Sequence, residues 1–337
     1  MKRLLIALIV FTWLGCNDNN PDVSGIQVDT KLERLDRFMF EQMDTSSMEA
    51  SLNELHRRYP YFAGDFVSNI LGLPPVTDSA AAITYSEMKR FMQLTRPLFD
   101  SIAPTFRNTS EIEEKLNDGF RHVRYYFPAY QVPKLVAYIG PFDAPAVAVM
   151  PASIGVGLQL FAGKNFSFYA TPQGQELYPM YISRRFEPQY IPAAVMNAVI
   201  QDLYPDHSAG RPLIEQMILK GREWYLLDKF LPEEEDSIKT GYTQKQLKWT
   251  NTNEGLIWNF FLQNNDLYTT EPVFIKNFMG EAPYTEGMPG ESPGNIGQWV
   301  GWQIVKAYAA NNPEMTPADI MKQDPKEIFS KAKYKPR

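Results

Sequence analysis

The residues able to do chemistry are few in this chain. Cys16, in "FTWLGCNDNNPD", is its one thiol, and His56, His122 and His207 are its three histidines, far apart in sequence. A lone cysteine cannot close a disulfide within the chain. A catalytic zinc takes about three protein ligands and an open position, and helical sites supply two of them four residues apart. No HExxH occurs here. His56, in the polar helical stretch "ELHRRYP", and His122, in "FRHVRYY" between Arg121 and Arg124 where a metal ion is repelled, both read as solvent-facing or hydrogen-bonded. His207, near Asp202 and Asp206, is the remaining ligand candidate, but Pro205 breaks the helix between Asp202 and His207.

Other signatures are equally thin. With no second histidine near a serine motif such as G-x-S-x-G and no catalytic cysteine, nucleophilic hydrolysis has no support in the sequence. "GVGLQLFAGK" (155–164) lacks the G-x-x-x-x-G-K-[ST] spacing of a phosphate loop and reads as strand. Glu113 and Glu114 are ordinary helix-surface charges. The expectation is no catalytic residue, no metal site and no cofactor.

What surrounds Cys16 gives the thiol a use. Lys2 and Arg3 precede the apolar run "LLIALIVFTW", too short to span a bilayer core of ~30 Å but of the length of an export-signal core. Gly15 stands directly before Cys16, and polar "NDNNPDVSG" follows. The arrangement resembles a bacterial lipoprotein signal, with Trp13 where leucine is usual and Leu14 beside it. It implies a signal over 1–15, lipidation at Cys16 and a flexible tether over 16–27. Asp18, second after the cysteine, leaves the choice of membrane open; the outer membrane is the expectation.

The elements that must position anything else follow from periodicity. Thr30 to about Pro128 repeats apolar residues every three and four, including Leu32, Leu35, Phe38 and Met39, which predicts amphipathic helices. "TSSMEASLNEL" offers Ser and Thr caps, and Thr109 or Ser110 begins another helix. Between Val132 and Tyr169 the chain turns β-branched and apolar with Gly and Pro punctuation, which predicts a small sheet without βαβ alternation. Helical spacing then returns to the C-terminus. The acidic run from Pro232 to Asp236 reads as a solvated turn. The expected fold is α+β, mostly helical with a small β-sheet in the middle, as one domain over 28–337. Apolar residues at 44% exclude disorder for most of the length, and a net charge of −6 without a basic run argues against nucleic acid as a partner.

Three long stretches carry a family resemblance. "IGVGLQLFAGKNFSFY" with "YISRRFEPQYIP", then "LIEQMILKGREWYLLDKFLPEEEDSIKTGYTQKQLKWTNTNEGLIWNFFLQNNDLYTT", then "ESPGNIGQWVGWQIVKAYAANNPEMTPADIM" with "IFSKAKYKP" resemble the gliding motility lipoproteins of the GldB family of the Bacteroidetes. The resemblance implies a scaffold like that of zincin metallopeptidases without the metal motif. The helix where those enzymes carry HExxH reads "IPAAVMNAVIQDLYP", without histidine or glutamate. The next reads "QMILKGREW", with Lys220 where an acid is expected, and an ammonium cannot coordinate zinc. The implied protein is a retired enzyme scaffold.

In the last long helix, Ser292, Pro293 and Asn295 are starting residues. Gly297 and Gly301 fall four apart and Trp299 and Trp302 three apart. These four are either core packing against the helix bearing Met217 and Trp224 or a docking groove. Two functions are therefore carried forward. The first is a non-catalytic lipoprotein of the cell envelope that supports gliding and its associated secretion machinery by binding other envelope proteins. The second is a hydrolase on envelope peptides or glycans with an undisclosed site.

Overall fold

The computed structural model describes residues 20–76, 79–263 and 266–336, so the signal over 1–15 and Cys16 lie outside the described residues. Numbering only α-helices of eight residues or more, α1 is Met48–Arg58, α2 Ala81–Ile102, α3 Ser110–Tyr126, α4 Ile191–Leu203 and α5 Leu213–Phe230. Then follow α6 Gln244–Thr252, α7 Glu254–Gln263, α8 Pro272–Met279, α9 Ile296–Asn311 and α10 Pro325–Ala332. Strands β1 Leu32–Arg34, β2 Lys134–Tyr138, β3 Val147–Met150 and β4 Ser153–Gly157 make one four-stranded mixed sheet in the order β1-β2-β4-β3. The fold is α+β and mostly helical, with the sheet enclosed by helices.

β2 and β4 pair in parallel, with Val136 opposite Gly155. Both are buried apart from Lys134. Burial on two faces demands continuous apolar runs, which is what "LVAY" and "SIGVG" are. β3 closes one edge antiparallel to β4. The other edge corrects the expectation of a wholly helical first third, because Leu32–Arg34 pairs in parallel with β2, Leu32 opposite Leu135. With α1 to α3 between β1 and β2, the sheet also contains the parallel crossover that was not expected. Nor does strand continue to Tyr169: Leu158–Leu160 and Ser167–Ala170 are tight 3-10 turns. Ser47 and Thr109 stand at the starts of α1 and α3, but neither side chain caps its helix.

The two larger apolar clusters of the core meet along α5. Leu226, Leu227 and Phe230 belong to the cluster around the sheet, whereas Leu213, Met217 and Trp224 belong to the one formed with α7 to α10. Helix α5 is thus the shared beam of the molecule. Among the described residues no helix is long and apolar enough to cross a membrane.

Of the flexible tether expected over 16–27, the described part, from Asn20, is held against the folded body. Asn20 donates its side-chain amide to Glu233, Val23 is buried, and Arg124 of α3 donates to the Gln27 carbonyl at 2.9 Å. Asn117 then exchanges two hydrogen bonds with the backbone of Thr30. From Asn20 onward the chain is strapped to the folded body.

Candidate functional site

The polar residues of α4 and α5 interrupt otherwise apolar helices. On α4, Asn197 and Gln201 are one turn apart; on α5, Lys220, Glu223 and Trp224 share a face. Together they line a cleft of about 420 Å³. Its far wall comes from much later in the chain: Lys239, Gly241, Glu281, Asn295 and Gln298.

Lys220 is the centre of charge. Its Nζ lies 2.9 Å from Asp206 Oδ2 and 2.9 Å from Glu223 Oε1. Burial disfavours its ammonium, but Glu223 and Asp206 more than offset this and raise its pKa. Burial also pushes the Glu223 carboxyl above the usual range, against the pull of Lys220. Asp206 is opposed by partial burial, yet hydrogen bonds from Lys220 and Ser208 hold it below the ordinary value. The other cleft charges are likewise engaged: Arg185 with Glu281 at 3.0 Å, and Lys239 with Asp228 at 2.7 Å. An ammonium clamped by two carboxylates occupies them as a metal ion would, so this corner offers a cation of its own and no ligand set for zinc.

Asn295 starts α9 in the left-handed region, at φ 56°, and does not cap the helix with its side chain. Its Oδ1 is buried without a hydrogen-bond partner. Pro293 and Ser292 serve the preceding loop instead, since Thr285 donates its hydroxyl to the Pro293 carbonyl and its backbone N–H to Ser292 Oγ.

The three histidines are not brought together. His56 is exposed on α1, its Nδ1 2.8 Å from the Leu52 carbonyl. His122, read as solvent-facing or hydrogen-bonded, is buried on α3 and hydrogen-bonded, with Nδ1 3.0 Å from the Asp118 carbonyl. His207 is exposed in the α4–α5 loop, beside a second cleft where Arg222 is buried. Arg222 Nη1 donates to the carbonyls of Met321 and Gln323, both at 2.7 Å, and burial pushes the guanidinium down to about 10. Among the described residues no group of three or more His, Cys, Asp or Glu side chains could hold a metal.

Gly297, Trp299, Gly301 and Trp302 are all buried where α9 crosses α5. A Cβ on Gly301 would stand 1.7 Å from the Met217 carbonyl oxygen, and one on Gly221 2.1 Å from the Gly301 carbonyl carbon. The two glycines let the helix backbones touch. Trp302 packs edge-on to Trp224 and donates Nε1–H to Asp228 Oδ2 at 2.7 Å. These residues form packing and present no open groove.

The sequence reading missed the cleft because its walls come from segments far apart in the chain. The available signal was the polar pair Asn197 and Gln201 in an apolar helix.

Comparison with known proteins places the chain. No curated protein matches it, and no solved structure does. The family model described as gliding motility protein GldB matches residues 16–336, nearly the whole chain and starting at the cysteine. The chain therefore belongs to the family of the gliding motility protein GldB.

Proposed function

We propose that this protein is a non-catalytic, lipid-anchored component of the cell envelope, held at the outer membrane through Cys16, that supports gliding and its associated secretion machinery by binding other envelope proteins. The observation that carries the reading is the family match, which begins at Cys16 and runs to Pro336. The cleft chemistry supports the non-catalytic part. Where a hydrolytic metal would need three neutral or anionic ligands, the helices offer Asn197, Gln201 and a Glu223 carboxylate already taken up by the Lys220 ammonium.

A substitution scan of the cleft in gliding cells tests it. Asn197→Ala, Gln201→Ala and Glu223→Gln, each checked for normal protein level, are expected to leave gliding intact. Loss of gliding from one such change in a folded protein would instead favour a hydrolase working in this cleft.

A further inference from the structure

The strapped N-terminal segment limits how an anchored molecule can sit. Three residues separate Cys16 from Asn20, and whatever their conformation the four Cα–Cα steps reach at most about 14 Å. From Asn20 on, the path is set by the Asn20–Glu233 hydrogen bond, the burial of Val23 and the Arg124–Gln27 hydrogen bond. A freely swinging domain would need slack that this chain lacks.

The strap crosses one end of α5. Glu233 follows the C-terminal end of that helix at Phe230, whereas its opposite end, Leu213, accepts its place from the 269 region by donating N–H to the Thr269 carbonyl at 2.9 Å. Eighteen helical residues at ~1.5 Å each set these ends about 26 Å apart. Val273, 87% exposed, belongs to the far end. Beside the strap stands Tyr125, 48% exposed and adjacent to Arg124. Exposed Tyr125 and Arg124, each an apolar body with a polar tip, suit the headgroup level of a lipid surface.

We propose that the face carrying the strap, with Ser24, Arg124 and Tyr125, lies against the lipid surface that holds Cys16, and that the Val273 end of α5 points away from it. The orientation rests on the anchor reading above. It deepens that reading by assigning one face to the membrane and leaving the opposite end for partners.

Single-site fluorophores on the full-length lipidated protein test this. The lipid consumes the native thiol, so Ser24→Cys, Tyr125→Cys and Val273→Cys each carry a single label. The labelled proteins are reconstituted in phosphatidylethanolamine–phosphatidylglycerol vesicles containing a headgroup quencher. Quenching several-fold stronger at positions 24 and 125 than at 273 is expected. Equal quenching, or stronger quenching at 273, in protein that floats with the vesicles would overturn the orientation alone. Protein that does not float would overturn the anchor and the orientation with it. A Gly/Ser insert of about twelve residues between Asn19 and Asn20 adds roughly 20 Å of reach and should even out the three signals. An undiminished difference with the insert would contradict the short strap as its cause.

Discussion

At the scale of single residues, Lys220 explains most of the cleft. Its pKa is raised despite burial because Glu223 and Asp206 flank it, so its contribution to stability holds below its unfolded value and fades only in alkali, through the raised folded one. Asp206, held low, contributes above its unfolded value and loses this as pH falls through the depressed one. Glu223 runs the other way: raised mainly by burial, it favours folding when protonated and costs stability once ionised. Lys220→Met would leave the Glu223 carboxylate buried with its nearest cation gone. The expected loss is about 3 kcal/mol at neutral pH, the scale for breaking one side of a buried pair. That loss should shrink as pH falls and Glu223, its carboxyl raised by burial, takes up a proton. Urea midpoints measured across this range check it, and a loss independent of pH would show that Glu223 does not answer to Lys220.

At the scale of elements, the α5–α9 crossing is the contact that packing depends on. Gly221 and Gly301 meet backbone to backbone, so a methyl group on either has no flexible side chain to push aside. Gly301→Ala should cost about 3 kcal/mol or more by overpacking. Gly64→Ala, where nothing lies within 4 Å of the added Cβ, should be neutral or slightly stabilising. Similar losses in both, measured by thermal unfolding, would contradict the crossing as described.

Much of this architecture was legible in the sequence, because α3, α4, α5 and α9 repeat apolar residues at helical spacing and β2 and β4 are unbroken apolar runs. β1 was not legible. Three residues, Leu32 to Arg34, carry no period of their own and sit inside apolar spacing that suits a helix; only β2 makes them a strand. The cleft was illegible for a related reason, since Asn295 and Glu281 join Asn197 and Lys220 only when α9 folds back on α5. The paired glycines and tryptophans were legible as candidates, yet their burial at the crossing depended on tertiary packing.

At the scale of the whole molecule, α5 joins both apolar clusters, and the strap from Asn20 ties the N-terminal side of the body to the turn after that helix. An anchor at Cys16 therefore acts on the folded body through only the three residues before Asn20, a reach of at most about 14 Å. Three acyl chains, each burying many CH₂ groups at ~0.8 kcal/mol apiece, would hold it on the membrane essentially irreversibly, whereas one chain would be marginal. The most direct test of the account is fractionation and gliding of cells whose one copy of the protein is Cys16→Ser, alongside fatty-acid labelling of the unsubstituted protein. The account predicts label in the unsubstituted protein, a folded Cys16→Ser protein lost from the membrane fraction or stalled with its signal uncleaved, and gliding weakened or stopped. Normal processing of the Cys16→Ser protein with continued membrane fractionation, or no fatty-acid label in the unsubstituted protein, would contradict it.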